Sequence, residues 1–389
     1  MALHPELGYF DEGLNLTDAE IYKSAQAPES QASILPPVAY RSRIFAELED
    51  EKVWTRHWCC VGTIGQLHTI GDLLPYTLGN HGIHVQMEQA GFSARFNFAQ
   101  HGGCRFVPAQ CQTGKKTKCS YTSCGYSRDR DVVHISEADT DTPVFRHFVG
   151  DMPERMLPVS VDTFGQYIFV NVDQNGCSLD KQLANINFDL GKKSTEHGFE
   201  AGYWQPLLGN WKVILCKLFD IISMETNATP LTIDKKLESH IEDDVPNFVV
   251  ATDSTKISQR MLIWVFPNLL IERNDSWESS VIIQPTGLDE VNARIRVRYL
   301  NSKLKYSEGE RNRELDRWRK MLSKANKITQ PIQKSYQDWG TPHSPNTSLE
   351  ALPESPGGAG YIFQKYIIDR LLAEYDYVWN APLYTDARR

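Results

Sequence analysis

A cluster of cysteine and histidine side chains occupies one short stretch of the chain. Four of the eight cysteines lie between residues 104 and 124, close after His101: Cys104, Cys111, Cys119 and Cys124. Thiolates and imidazoles at such short spacing are typical metal ligands. Disulfides are rare in chains of this length that lack a secretory leader, and residues 1–6 have neither a basic nor an apolar leader segment. The cluster therefore indicates metal chemistry rather than a disulfide framework.

The amino-acid composition limits the classes of molecule that the chain is expected to bind. The chain has 389 residues, 41% hydrophobic and 23% charged, as in folded globular proteins. Its 41 basic and 49 acidic residues give a net charge of −8, which argues against nucleic acid as a partner. No run of about 18 apolar residues is present, so no transmembrane helix and no membrane partner are expected. These features predict a cytoplasmic protein.

The elements around the cluster are predicted to be strands. Short alternating runs separated by glycine turns extend from Trp58 to about Asp173, which indicates a small barrel or sandwich. After Gly176 the pattern changes to helices mixed with strands. Helical spacing occurs at residues 210–224, 308–324 and 361–374, and strand-like runs occur between residues 246 and 300. We predict an α+β fold with three parts: an N-terminal arm and helix (1–57), a β-rich domain (58–175) and a mixed domain (176–389).

Several separate motifs, in order along the chain, resemble the α-subunits of Rieske non-heme iron oxygenases from about residue 40 to 375. The resemblance rests on these motifs: Gly71-Asp72, Asn97-Phe98-Ala99-Gln100-His101-Gly102-Gly103, Cys119-Ser120-Tyr121-Thr122-Ser123-Cys124, Asn210-Trp211-Lys212 and Phe266-Pro267-Asn268. It implies a β-rich Rieske-like domain followed by a helix-grip (START/Bet v1-like) catalytic-type domain. It also implies a [2Fe–2S] cluster and a mononuclear Fe(II) in active members.

The cluster ligands that the resemblance implies are incomplete. Active members hold the cluster with Cys-x-His and Cys-x-x-His. Aligned on His101 and Cys119, which are separated by 17 residues, the other two ligand positions are Ala99 and Thr122. One thiolate and one imidazole are thus lost, so assembly of an ordinary Rieske cluster is not expected.

The remaining thiols offer a different metal site. If the two loops approach each other as they do in the family, His101, Cys104, Cys119 and Cys124 form a Cys3His set, with Cys111 as a spare ligand. Such a set suits tetrahedral Zn2+. The alternative is a group of reduced, buried thiols beside an isolated histidine.

The mononuclear iron site departs further from the family. The resemblance implies an acidic residue at Asp220, a first histidine at Ser223 and a second at Asn227 or Ala228. It places the carboxylate ligand on a late helix at about residues 326–337, and no Asp or Glu occurs from residue 317 to 337. Hydroxyl, amide and methyl groups do not hold Fe(II) against water, so oxygen chemistry of the family's kind is not expected.

Three functions follow as hypotheses. The first is a catalytically inert α-subunit homologue that forms a trimer with itself or a hetero-oligomer with an active oxygenase α-subunit. The second is an oxidoreductase, a Rieske-type mono- or dioxygenase of a small organic substrate that uses non-standard ligands. The third is a small-molecule binding module whose pocket includes Asn210, Phe266 and Asn268.

Overall fold

The computed structural model describes residues 8–96, 158–173, 176–183, 200–226, 247–251, 261–273, 276–300, 308–340 and 359–374. These residues divide into two compact units. One unit contains residues 8–53, 182, 183 and the described residues from 200 to 374; the other contains the described residues from 54 to 181. The N-terminal segment, which the sequence sets apart as an arm, belongs to the same unit as the C-terminal half.

The described residues contain fourteen strands and six α-helices, beside short 3-10 turns and one π-helical turn at Asp50–Trp54. The strands are β1 (Phe10–Asp11), β2 (Leu14–Asn15), β3 (Cys59–Thr63), β4 (Leu73–Leu78), β5 (His81–Glu88), β6 (Gly91–Phe96), β7 (Pro158–Phe164), β8 (Tyr167–Asn171), β9 (Glu200–Leu208), β10 (Asn247–Ala251), β11 (Met261–Val265), β12 (Leu269–Arg273), β13 (Trp277–Pro285) and β14 (Glu290–Tyr299). The helices are α1 (Val38–Arg41), α2 (Arg43–Glu49), α3 (Leu179–Gln182), α4 (Trp211–Thr226), α5 (Glu308–Asp338) and α6 (Ala359–Leu372).

The β-rich unit contains one antiparallel six-stranded sheet in the order β3-β8-β7-β6-β5-β4. Its core strand β8 is buried along its whole length, and so is β3, which begins with Cys59 and Cys60. Continuous apolar runs of this kind are typical of strands covered on both faces. The predicted strands at residues 76–78, 83–87 and 167–172 are confirmed, with ends that differ by a few residues.

The second sheet, also antiparallel and six-stranded, has the order β10-β11-β12-β13-β14-β9 and carries the long helix α5. In β14 the apolar residues alternate with arginines, so all of Ile295, Val297 and Tyr299 lie on one face. Helix α5 packs on that face. Tyr203 of β9 lies opposite Ile295 and so on the same face, and the centre of its ring is 4.7 Å from the guanidinium carbon of Arg319 on α5. A long helix held against an antiparallel sheet is the helix-grip arrangement, and the whole is an α+β fold.

Helix α5 is longer than its charge pattern predicts. The sequence predicts its end near Lys324, whereas the structure continues to Asp338 through Pro331. The buried stripe does not stop at Pro331, since Thr329, Gln333 and Tyr336 remain buried on the same side. Tertiary packing of these residues offsets the backbone hydrogen bond that proline removes.

The N-terminal segment is fixed to the C-terminal half by specific bonds. The Arg41 guanidinium donates to the carbonyl oxygens of Tyr336 and Trp339, at 2.9 and 2.7 Å, where α5 ends. The Tyr40 ring stacks on Tyr336 at 4.5 Å. The Gln364 amide on α6 donates to the carbonyl oxygens of two residues of the segment, Ala25 and Ser33. These contacts fix the segment to the end of α5 and to α6.

Candidate functional site

Helix α4 carries Asp220 and Ser223, where the resemblance implies the iron site, and Asn210 lies where the helix begins. The Asn210 side-chain oxygen accepts a hydrogen bond from the Lys212 backbone N–H at 3.1 Å, which caps the helix. Its side-chain nitrogen donates to the Leu288 carbonyl at 2.9 Å. Its backbone N–H donates to the Gln333 side chain of α5 at 3.0 Å. Asn210 is 4% exposed, and its polar atoms hold the helix start in place.

A buried ion pair follows at the first turn of α4. The Lys212 ammonium lies 2.7 Å from one carboxylate oxygen of Glu49 on α2, and the two side chains are 2% and 4% exposed. The other carboxylate oxygen accepts a hydrogen bond from the Trp211 indole N–H at 3.1 Å. The pair therefore joins the N-terminal segment to α4.

Aromatic rings surround the Lys212 ammonium. Its nitrogen lies 5.4 Å from the centre of the Tyr40 ring, 5.2 Å from that of Phe45 and 5.5 Å from that of Trp211. Burial lowers the pKa of Lys212, and the charge of Glu49 opposes that shift. Glu49 and the ring faces thus hold a cation in an apolar environment.

Asp220, which is predicted to be a vestigial acidic position, lies two turns further along α4 and is paired within the helix. The Lys217 ammonium lies 2.9 Å from one oxygen of its carboxylate. The other oxygen is buried and accepts no hydrogen bond from the described residues. Burial raises the pKa of Asp220, and Lys217 lowers it by a smaller amount. The environment therefore disfavours the charged carboxylate.

We expect Asp220→Asn to keep or slightly raise the stability of the folded chain at pH 7. Because the pKa of Asp220 is raised on folding, the ionised carboxylate costs stability above its unfolded pKa, and this cost disappears as the pH falls and both states become protonated. The difference between variant and wild type should thus shrink from pH 7 to pH 4 in thermal unfolding. A variant clearly less stable than wild type at pH 7 would show that Lys217 overcomes the burial.

The remaining predicted ligand positions fall largely outside the described residues. Ser223 lies in the last turns of α4, and its side chain is not described. Asn227 and Ala228 follow the described end of the helix. The zinc candidates, their spare ligand and the two lost cluster positions are likewise outside: His101, Cys104, Cys119, Cys124, Cys111, Ala99 and Thr122. Their roles stay predictions.

Helix α5 presents amides and a hydroxyl in the range, residues 326–337, where the resemblance implies a carboxylate. The Asn326 side-chain oxygen accepts from the Leu208 backbone N–H at 2.7 Å, and the Thr329 hydroxyl donates to the Leu208 carbonyl at 2.9 Å. Gln333 accepts from Asn210 and donates to the Tyr40 carbonyl at 3.0 Å. These α5 side chains hold the loop that leads into α4.

The described residues of α4 and α5 do not fit a mononuclear ferrous ion. The sequence of α4 contains no histidine, and its buried acid, Asp220, is bonded to Lys217. The α5 side chains that face the start of α4 are neutral and already bonded to backbone. The facial triad needs two imidazoles and a carboxylate that leave open positions on the metal. Within the described ranges, no group of three or more His, Cys, Asp and Glu side chains is arranged to hold a metal ion.

The other two pocket candidates lie in the core. Phe266 and Asn268 connect β11 to β12 and are both 0% exposed. The Phe266 ring packs edge-to-face on Trp264 at 5.5 Å. Trp264 in turn lies 6.0 Å from Phe219 of α4 and 5.3 Å from Phe363 of α6. These four rings pack against one another between α4, α6 and the sheet, so Phe266 takes part in core packing.

Sequence analysis missed Glu49 and Gln333, the residues that fix the start of α4. Glu49 lies in a short helix rich in charged residues, which resembles a solvated surface, and its partner is 163 residues away. One signal was available: Lys212 directly follows Trp211 at a helix start, where an unpaired buried cation would need an acid.

None of the helices among the described ranges has the length and apolar composition needed to cross a bilayer.

Comparison with known proteins gives similar sequences over about half of the chain. No protein-family model matches. The chain is 27% identical over 177 residues to the α-subunit of benzene 1,2-dioxygenase of Pseudomonas putida, which covers 44% of this chain and 38% of that protein. It is 21% identical over 193 residues to the oxygenase subunit of carnitine monooxygenase of Escherichia coli, covering 49% and 50%. The matches thus span half or less of the length of these relatives.

Solved structures match most of the chain. A quaternary ammonium Rieske monooxygenase in its apo form superimposes with a TM-score of 0.60 over 88% of this chain and 96% of that one, at 16% identity. A naphthalene 1,2-dioxygenase variant gives 0.55 over 91% and 95%, at 12% identity. At these identities the likeness concerns the fold. Taken with the sequence matches, it identifies the chain as a divergent relative of the α-subunits of Rieske non-heme iron oxygenases.

Proposed function

We propose that this chain is an α-subunit homologue that performs no oxygen chemistry by itself and serves as a structural or regulatory partner in a hetero-oligomeric oxygenase. The proposal rests on which side chains of α4 and α5 could act as metal ligands. Helix α4 contains no histidine, and α5 contains no acid from residue 317 to 337. The polar α5 side chains Asn326, Thr329 and Gln333 bond the backbone of Leu208 and Asn210, just before α4, instead.

The contacts that hold α4 in place support the same proposal. Asn210 still caps α4, and the Glu49–Lys212 pair still ties it to the N-terminal segment. A buried charge pair costs free energy to desolvate and needs accurate geometry. A chain that keeps this cap and this ion pair but lacks iron ligands is suited to a structural or regulatory role, in which the fold itself binds a partner subunit. We propose that this role is exercised in the cytoplasm, in a trimer or a mixed hexamer.

Co-expression with the oxygenase α-subunit encoded nearest to this chain tests the proposal. Native mass spectrometry should show an assembly that contains both chains, and oxygen uptake of that assembly should differ from that of the active subunit alone. The active subunit expressed alone is the control. A chain that forms only homo-oligomers, and that leaves the partner's activity unchanged, would contradict the proposal.

Oxygen uptake by the chain alone separates the proposal from its main alternative. Substrate-dependent uptake, with a visible absorption band after anaerobic purification, would establish an oxidoreductase with non-standard ligands. We expect neither. The binding-module alternative is disfavoured for the region of Phe266, because aromatic rings occupy that space.

A further inference from the structure

The N-terminal segment, residues 8–53, supplies a charged side chain to one end of each of three helices. The Arg41 guanidinium donates to carbonyl oxygens at the end of α5. The Lys52 ammonium donates to the Ala373 carbonyl oxygen at 3.0 Å, directly after α6 ends. The Glu49 carboxylate lies at the first turn of α4. In each case the charge is opposite to the partial charge of that helix end, so one segment stabilises three helix ends.

The segment contains too little regular structure to be ordered by itself. Its helices α1 and α2 have four and seven residues, and its hairpin β1–β2 has two residues in each strand. Helices and hairpins this short are not stable alone in water. Its side chains Leu16, Tyr22 and Phe45 are each 0% exposed. The segment is therefore ordered by its contacts with the rest of its unit, and the docked state predominates.

The contacts of the segment are linked through Tyr40. The Tyr40 ring stacks on Tyr336, and the Tyr40 carbonyl oxygen accepts a hydrogen bond from Gln333, both on α5. The same ring lies 5.4 Å from the Lys212 ammonium on α4. The next residue, Arg41, holds the end of α5. One short stretch thus contacts two helices, so the loss of one anchor removes support from the other.

We infer that residues 8–53 form a strap that opens as one unit, and that its opening frees the start of α4 and the ends of α5 and α6 together. Contiguous segments of native proteins commonly open in this way without global unfolding. The sheet stays formed, because β13 and β14 pair at nine positions and each has a second neighbouring strand. Helix α4 carries Asp220 and Ser223, so the strap controls the order of the helix where the resemblance implies the iron site. The inference goes beyond the proposed function and holds whether or not the chain turns over oxygen.

Hydrogen–deuterium exchange of the full chain tests the strap. Arg41→Gln removes guanidinium hydrogen bonds that go to Glu12 and to the end of α5. Exchange should rise about tenfold in the strap, in the first half of α4 and at the ends of α5 and α6, and it should not change in β13 and β14. The matched control, Arg43→Gln, removes an exposed arginine whose partner Glu47 lies within the strap, and exchange should change less than about twofold.

Labelling of Cys216 gives a second readout on α4. Cys216 lies one turn after Lys212 and is half-buried. Tyr40 of the strap lies within the range of charge interaction with the Cys216 thiol. Alkylation of Cys216 by N-ethylmaleimide, followed by peptide mass spectrometry, should be faster in Arg41→Gln than in wild type. It should be unchanged in Arg43→Gln.

Three results would overturn the inference. The first is a rise in exchange that does not reach α4, which would show that Arg41 acts only where it bonds. The second is an equal rise in β13 and β14, which would assign the opening to global unfolding. The third is an equal rise in the control variant. If Arg41→Gln fails to fold, Arg41→Lys keeps the charge but loses the planar fork that reaches Glu12 and α5 at once, and it should give the same pattern with a smaller rise.

Discussion

Glu49→Gln should destabilise the folded chain by about 3–5 kcal/mol. The substitution leaves the Lys212 ammonium buried among three rings without its 2.7 Å counter-charge. It also weakens the hydrogen bond from the Trp211 indole. Chemical denaturation followed by tryptophan fluorescence measures the loss. The matched control, Glu47→Gln, removes the partner of exposed Arg43 and should cost less than about 1 kcal/mol.

The pH dependence of the Glu49→Gln variant distinguishes charge burial from lost packing. Burial lowers the pKa of Lys212, and removing Glu49 lowers it further. Below the folded-state pKa the variant bears the full cost of a buried cation. As the pH rises towards the ordinary lysine pKa, the unfolded state also loses its proton and the cost falls. The loss should therefore be smaller at pH 10 than at pH 7, and a loss that does not change with pH would contradict this account.

A double variant tests whether Glu49 and Lys212 stabilise the chain as a pair or independently. Glu49→Leu/Lys212→Met replaces both charges with apolar groups and should recover most of the stability lost by either single change. A double variant as unstable as the sum of the single ones would show that the two residues act independently.

Trp264→Ala should cost about 3–5 kcal/mol, the second large effect. Trp264 is 0% exposed and lies within 6.0 Å of three other rings. Its removal leaves a cavity between α4, α6 and the sheet. The exposed aromatic Phe10, which is 61% exposed, provides the control: Phe10→Ala should change stability by less than about 0.5 kcal/mol.

The cavity in Trp264→Ala also allows a test of whether the wild-type chain has a ligand pocket at this place. An apolar cavity of this kind stays dry and accepts small aromatic molecules. Toluene should therefore raise the melting temperature of Trp264→Ala and leave wild type unchanged. If the alanine variant fails to fold, Trp264→Leu leaves a smaller cavity and should show the same difference. A toluene shift in wild type would indicate a pocket that the four rings do not fill.

The elements of the fold could be predicted because each depends on local pattern. The strand runs near residues 76–78, 83–87 and 167–172, and the helix that starts after Asn210, follow from alternation and capping. The full length of α5 could not be predicted, because its second half continues past Pro331 only through buried contacts of Thr329 and Gln333.

The residues that fix the start of α4 could not be predicted from the sequence. The residue types at Asp220 and Ser223 can be read from the chain alone, and their relation to an iron site stays a prediction. The Glu49–Lys212 pair depends on a contact across 163 residues, and the acid lies in a segment whose charges resemble a solvated helix. Spacing also does not reveal which unit a segment packs against, and the structure places residues 8–53 in the unit of the C-terminal half.

Metal analysis of the full chain, purified anaerobically without a partner, tests the central claim most directly. Iron and acid-labile sulfide should both be far below one per chain, because the proposed function requires that the scaffold is kept while the side chains that hold iron are replaced. Zinc at one per chain that is lost in Cys119→Ala would agree with this account and confirm the predicted Cys3His site. Iron at one per chain that persists when His101 and Cys119 are both replaced by alanine would place a ferrous centre elsewhere in the chain and contradict it.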